Sequence, residues 1–427
     1  MDSKSTFLPL FEKIESLAQK LPGGLHKPIL QAVTPIKDTF LKQRAPRFAL
    51  AGDPAVSHAG VMNAIFSAPV APFEPPSAAA GAPPPPAGWQ DLTGRAAGAV
   101  RVLDLRSETP AFPPPDVTLG ALAALAPDLF LFLQNSERPD EARLAAQLDQ
   151  LERLVALADE RHGEQRPPVL GLVVADAEVG AASDAALEAA RARLHATLLG
   201  RPALSARLAP TRAVATFVRF RLDGSFDPES DKRRGIHLLV DTLVAELPDE
   251  AKLEMARLSG AREAQARIAS TLTKSLAAAS GALGIQPIPL ADMPFLLAFQ
   301  TMLVSGIIYI SGQELNAKLG ARFLGSLGMN VGLGMALREG ARAAAKLLPG
   351  WGNAVSGLVA AAGTYAIGRA ATAYYIEGAS LPDARRLFKM ENLLRRRSAS
   401  GQPDARFFHL LERRRRSPAP GRTRNGH

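Results

Sequence analysis

Apolar side chains recur every three to four positions over residues 5–45, with charged residues between them. This spacing places them on one face of a helix, so it predicts helices rather than strands. The first apolar face ends at Gly23 and Gly24, and it comprises Phe7, Leu8, Leu10, Phe11, Ile14, Leu17 and Leu21. A second face contains Ile29, Ile36 and Phe40. The pattern predicts an N-terminal helical region over residues 1–46.

Between residues 47 and 247, short apolar runs alternate with amphipathic stretches. Short continuous apolar runs are typical of buried strands, and apolar positions three or four apart are typical of helices. The predicted strands cover residues 48–51, 100–105, 128–133, 169–175 and 213–220. The predicted helices include residues 140–162, 183–199 and 235–247, and a helix that includes residues 61–66. Strands that alternate with helices predict an α/β domain with a parallel sheet over residues 47–247.

The strand pattern ends at Pro248, and residues 251–281 predict one long helix. Residues 293–313, 323–337 and 347–368 then contain no charged side chain. A membrane-spanning helix needs about 20 mostly apolar residues, and the first and third of these segments reach that length. Residues 248–380 therefore predict an all-α hydrophobic domain. It is either a membrane-associated helical hairpin with both termini in the cytoplasm or a bundle packed on itself, and the sequence leaves both open.

Composition excludes some kinds of functional site, and the net charge is confined to one segment. The chain has no cysteine, which excludes disulfides, thiolate metal sites and cysteine nucleophiles. The first residues lack the basic start and apolar core of a signal peptide, so we expect a cytoplasmic location at the inner membrane. The net charge of +9 comes from residues 381–427, which contain thirteen Lys or Arg and four Asp or Glu. Such a polar, basic segment predicts a disordered tail.

Arginine clusters in this tail suggest an anionic partner. They comprise Arg395, Arg396 and Arg397, then Arg413, Arg414, Arg415 and Arg416. Basic residues near a membrane bind anionic lipid headgroups, and they also make salt-sensitive contacts with nucleic-acid phosphates. No aromatic stacking platform accompanies the clusters, which disfavours nucleic acid. A solvated tail without a partner is the third interpretation.

Residues 47–66 have the outline of a nucleotide-binding strand, loop and helix. A working phosphate loop reads G-x-x-x-x-G-K-[ST], in which the lysine contacts phosphate and the hydroxyl binds Mg²⁺. Counted from Gly52, Ser57 replaces the second glycine, His58 the lysine and Ala59 the hydroxyl residue. These four residues are predicted as a vestigial nucleotide site with no catalytic residue and no metal ligand. The substitutions disfavour GTP and Mg²⁺ as cofactors.

Two aspartates follow predicted strands at positions where a GTPase carries further motifs. Asp104 ends the second strand, where D-x-x-G is expected, but Ser107 replaces the glycine. Asp176 follows the fourth strand, where N-K-x-D would select guanine, but residues 173–178 read V-V-A-D-A-E. Both belong to the predicted vestigial site, although an aspartate after a strand is also typical of a turn.

This order of strands and motifs resembles the Era-like GTPase superfamily, with every catalytic motif altered. The resemblance implies a P-loop fold. The C-terminal region resembles a bacterial family, domain of unknown function six-nine-seven, over about residues 250–378. Two segments account for this second resemblance: residues 284–300, with Pro289, Asp292 and Pro294, and residues 347–375, with Gly350, Trp351 and Gly368. That family often follows an Era-like domain, and it implies association with a membrane or a hydrophobic helical partner but no known reaction.

Three functional hypotheses follow from these observations. The first is a non-catalytic pseudo-GTPase whose membrane-associated helical module acts as a scaffold or regulator through protein contacts. The second is a divergent GTP-binding protein with weak GTPase activity, with Lys42 or Arg44 supplying the missing positive charge. The third is a soluble RNA- or ribosome-associated protein that binds through its basic tail.

Overall fold

The computed structural model describes residues 3–19, 23–71, 88–93, 98–106, 116–137, 140–163, 165–175, 183–221, 227–285, 292–313, 317–327 and 352–399. The strands are β1 (Arg47–Gly52), β2 (Gln90–Thr93), β3 (Ala99–Asp104), β4 (Leu129–Asn135), β5 (Val169–Ala175) and β6 (Arg212–Ala215). The helices of the first half are α1 (Ser3–Gln19), α2 (Gly23–Leu41), α3 (His58–Phe66), α4 (Asp116–Ala124), α5 (Glu141–His162), α6 (Asp184–Leu199) and α7 (Pro202–Ser205). Those of the second half are α8 (Ile236–Glu246), α9 (Asp249–Ser259), α10 (Arg262–Ile285), α11 (Asp292–Ile310), α12 (Ala317–Ser326), α13 (Gly352–Tyr375) and α14 (Leu381–Ala399).

The six strands form one sheet in the order β2-β3-β1-β4-β5-β6. All neighbouring strands are parallel except β2, which pairs antiparallel with β3 at one edge. Numbered among themselves in chain order, the five parallel strands lie in the order 2-1-3-4-5, which is common in doubly wound sheets, and β2 adds an antiparallel strand at one edge. The prediction of a parallel α/β sheet is confirmed.

Helices cover both faces of the sheet, which explains why β4 and β5 are apolar along their whole length. On one face, Leu131 and Leu172 pack with α3, α8 and α9. On the other, Phe130 and Val173 pack with α4, α5 and α6. Edge strand β2 lacks this signature because only Leu92 is buried, and it was not predicted.

The N-terminal helices and the C-terminal helices share a single hydrophobic core. Phe7 and Phe11 of α1, and Phe40 of α2, pack in the same cluster as Leu276 of α10 and Phe299 of α11. The N-terminal helices and the helices after residue 248, which the sequence pattern described as separate regions, therefore pack in one hydrophobic cluster.

Helix α11 lies inside this core and is buried on nearly every side. A helix that is apolar all round lies either in a protein core or in a membrane, and here other helices cover it. Its buried residues are Phe295, Ala298, Phe299, Met302, Leu303, Val304, Ile307, Ile308, Tyr309 and Ile310. Among the described residues, no helix combines the length and the apolar character needed to cross a bilayer.

Small residues bring α10 and α13 close together. Gly368 of α13 lies against the Thr273 side chain of α10, where a β-carbon would overlap it. The Thr364 hydroxyl also donates a hydrogen bond to Ser280 Oγ at 2.9 Å, and both side chains are fully buried. The close approach of the two helices at Gly368 is thus an internal contact of the protein.

The sequence misplaced two other boundaries. Residues 251–281 form parts of two helices rather than one, because Gly260 ends α9 in the left-handed conformation with φ +64°. The predicted disordered tail begins too early, since residues 381–399 form α14. Its Leu381, Ala384 and Phe388 recur at helical spacing and pack on the helical core.

Candidate functional site at the carboxyl ends of β1 and β3

The candidate site lies at the point in the sheet from which successive strands are added on opposite sides. After β1 the chain runs to the β3 side, and after β4 it runs to β5 on the other side. In open α/β sheets, the carboxyl ends of two such strands border the usual ligand crevice. Residues 53–57 connect β1 to α3 at this place, and β3 ends beside them because Leu50 pairs with Asp104.

Gly52 and Ser57 are held by local structure. Gly52 has φ +102°, and a β-carbon there would overlap the Leu133 carbonyl of β4, so only glycine fits. Ser57 is the N-cap of α3, and its hydroxyl accepts a hydrogen bond from the Gly60 N–H at 2.9 Å. The local fold alone therefore explains both residues, without a bound phosphate.

Arg106 inserts its guanidinium into the loop. Nη1 donates hydrogen bonds to the carbonyl oxygens of Asp53, at 3.3 Å, and of Val56. Nη2 donates to Asp104 Oδ2 at 2.7 Å, and Nε donates to Asp104 Oδ1 at 2.9 Å. Nη2 also lies 3.1 Å from His58 Nδ1. One side chain, which is 5% exposed, therefore joins two loop carbonyls, Asp104 and His58.

The electrostatics of Asp104 are set by this arginine. Burial raises the pKa of Asp104, but the hydrogen bonds and charge of Arg106, with a smaller contribution from His58, outweigh it and leave the pKa below its usual value. The guanidinium is only a donor, so its contact with His58 is a hydrogen bond only when the ring leaves Nδ1 unprotonated. Asp104 is consequently an ionised carboxylate paired with Arg106.

The polarity of the loop is opposite to that of a phosphate site. A phosphate loop directs backbone N–H groups at an anion, whereas the carbonyl oxygens of Asp53 and Val56 here point at a cation. Ala59, at the position of the Mg²⁺ hydroxyl, is buried and apolar. The arrangement can hold a guanidinium, and it offers no set of donors for phosphate oxygens among these contacts.

A second arginine, Arg143 of α5, contacts the loop that follows β1. Arg143 Nη2 lies 3.4 Å from Asp53 Oδ1, and the same oxygen accepts a hydrogen bond from the Ala55 N–H at 3.0 Å. The Asp53 N–H donates to the Leu133 carbonyl at 2.8 Å. The loop is thus held by β3, β4 and α5 through groups of the protein itself.

The structure places Gly52, Ser57, His58, Ala59 and Asp104 close together at the ends of β1 and β3 and the start of α3. Asp292 and Pro294 lie in the first turn of α11, and Arg395 to Arg397 lie near the end of α14. The other predicted positions lie outside the described residues: Asp176, Pro289, Gly350, Trp351, Arg413, Arg414, Arg415 and Arg416. Within the described part of the chain, no group of three or more His, Cys, Asp or Glu could hold a metal ion.

Sequence reasoning missed Arg106, Asp53 and Arg143. The available signal was the D-L-R order of residues 104–106, which places a cation two residues after the strand-end carboxylate. Comparison with protein-family models and with curated proteins gave no match for this chain. The interpretation of the site rests on its own contacts.

Proposed function

We propose that this chain is a non-catalytic pseudo-GTPase that acts as a scaffold or regulator through protein contacts. Its α/β domain is a degenerate Era-like domain, and its helical domain is the module related to domain of unknown function six-nine-seven. The strand order and the loop after β1 at the division of the sheet support this assignment.

One observation carries the proposal: Arg106 is bonded to Asp104, to His58 and to the loop carbonyls of Asp53 and Val56. GTP binding with Mg²⁺ would require each of these groups to change partner. Breaking a buried, hydrogen-bonded charge pair costs about 3–5 kcal/mol, and the loop supplies neither lysine nor hydroxyl to compensate. The site is therefore stable without nucleotide.

The helical module would contribute contacts at its surface rather than across a bilayer. The support is that α11 is covered by protein on nearly every side. We place the protein in the cytoplasm at the inner face of the membrane, where the arginine clusters after residue 394 attract anionic lipid. The proposal also includes a partner protein that places a helix against the surface of the helical module.

Phosphate release distinguishes this proposal from a weak GTPase. With purified full-length protein, GTP and Mg²⁺, we expect no release above the buffer rate. Any residual release should be equal in the wild type, Asp104→Ala and His58→Ala, since it would come from a contaminant. Release that is present in the wild type and lost in both variants would overturn the proposal and favour the enzyme.

A further inference from the structure

A cavity of ≈ 320 Å³ lies between α5 and α6, away from the Arg106 network. Its volume is at the lower end of the range for small-molecule sites. Aliphatic side chains from both helices and from β5 form its walls: Leu144, Leu148, Val173 and Leu194. None of the described residues that line it is aromatic, so these residues offer no stacking surface for a nucleobase.

The floor of the cavity contains a buried amide with an unused acceptor. Gln134, at 3% exposure, donates from Nε2 to Gln147 Oε1 at 2.8 Å. In the described part of the chain, nothing donates a hydrogen bond to Gln134 Oε1. This oxygen is not among the buried side-chain atoms that lack a partner, so it keeps access to solvent, and a ligand N–H at this position would replace that solvent contact.

The mouth of the cavity has opposite charges on its two sides. Glu137 and Glu141 stand at the start of α5, and Arg193 and Arg201 stand on the α6 side. Arg201 is already paired with Asp149 at 2.6 Å. Arg193 and Glu137 are exposed, and their side chains have no ion pair with any residue that the structure describes. One cation and one anion are thus available to a ligand at the mouth.

We propose that this cavity binds a free α-amino acid whose aliphatic side chain ends in a neutral hydrogen-bond donor. The carboxylate pairs with Arg193 and the ammonium with Glu137. The methylene groups lie between Leu148 and Leu194, and the terminal N–H donates to Gln134 Oε1. A neutral amide suits the floor better than an ammonium, because burying an unpaired charge is far more costly.

Calorimetric titration of the full chain tests this site with three probes. L-glutamine carries all the required groups, L-leucine lacks the terminal donor, and pentanamide lacks the charged head. We expect glutamine to bind at least about tenfold more tightly than either of the other two, because a site built around a hydrogen bond rejects a ligand that leaves it unmade.

Three variants give the controls. Arg193→Gln should weaken glutamine binding about tenfold, and Ala145→Phe, at an exposed lining position, should block the cavity without disturbing the core. Arg191→Gln makes the same charge change on α6 outside the cavity and should leave binding unchanged. The proposal is overturned if about 10 mM glutamine gives no heat of binding. It is also overturned if Arg193→Gln and Ala145→Phe bind as the wild type does, or if leucine equals glutamine. None of these results depends on whether the chain binds GTP.

Discussion

Replacing Arg106 with alanine should destabilise the α/β domain strongly. The substitution leaves Asp104, whose side chain is 5% exposed, as a buried carboxylate without its partner. Removing one member of such a pair costs about 3–5 kcal/mol, because the remaining charge stays buried and unpaired. Two loop carbonyls also lose their donor, so we expect the upper part of this range at pH 7.

The pH dependence of this loss follows from Asp104. In the wild type its pKa is held below the usual value, so the stabilisation is present above the ordinary aspartate pKa and is lost as the pH falls through the lowered one. In Arg106→Ala the side-chain hydrogen bonds and charge of Arg106 are lost, so burial is opposed only by the weaker effects of His58 and the residue-106 N–H, and the pKa of Asp104 should rise. Protonation then relieves the unpaired charge, so the difference between wild type and variant should shrink as the solution is acidified.

Urea denaturation followed by Trp89 fluorescence measures this loss in the α/β domain. Trp89 packs against the sheet, and its indole N–H donates to the Ala121 carbonyl at 3.0 Å. Trp351 is the second of the two tryptophans, so Trp351→Phe provides a clean background. Arg101→Ala is the matched control: its ion pair with Asp91 is about half exposed, and such pairs are worth about 0–1 kcal/mol.

The double variant decides whether the cost comes from the pair. Asp104→Ala with Arg106→Ala removes both charges, so it should be more stable than Arg106→Ala alone, as expected for coupled residues. A loss below about 1 kcal/mol in Arg106→Ala would refute the reasoning. So would a double variant that is no more stable than the single one.

Three further predictions concern the helical domain. Gly368→Ala should cost about 1–3 kcal/mol in urea denaturation because its β-carbon meets Thr273. Gly363→Ala on the same helix has open space and should gain about 0.5–1 kcal/mol; equal effects would contradict the packing. Burial, with a smaller effect of Tyr374, raises the pKa of Tyr375 to about 12, so its contribution to stability should be complete below pH 10 and lost as the pH rises through 12. Ultraviolet titration against Tyr375→Phe checks this, and a midpoint near 10 would contradict it. In cell fractionation, a high-salt wash should release the protein from the membrane pellet, because screened charge contacts hold it; retention in the pellet would contradict a surface contact.

Local patterns were sufficient to predict β4, β5 and the strand, loop and helix around Gly52. Residues 169–175 are apolar throughout and form a strand buried on both faces, which is the pattern that a central parallel strand requires. Ser57, which the sequence aligned with the second glycine of a phosphate loop, is the N-cap of α3. These features depend on residues that are close in sequence, so local sequence patterns can predict them.

The features that decide function depend on contacts across the fold. Arg106 reaches the loop only because β1 and β3 pair in parallel, with Leu50 beside Asp104. A motif search looks for a lysine inside the loop and does not find a cation on another strand. The uncharged sequence of residues 293–310 likewise fits lipid or protein equally, and Phe7 and Phe40, which cover it, come from the opposite end of the chain.

Calorimetric titration of the full-length protein with GTP in the presence of Mg²⁺ tests the central claim most directly. The claim is that Arg106, Asp104, His58 and the loop carbonyls satisfy one another and leave no nucleotide site. We predict no binding at micromolar GTP and no effect of removing Mg²⁺. Sub-micromolar binding that disappears when Mg²⁺ is chelated would contradict the account.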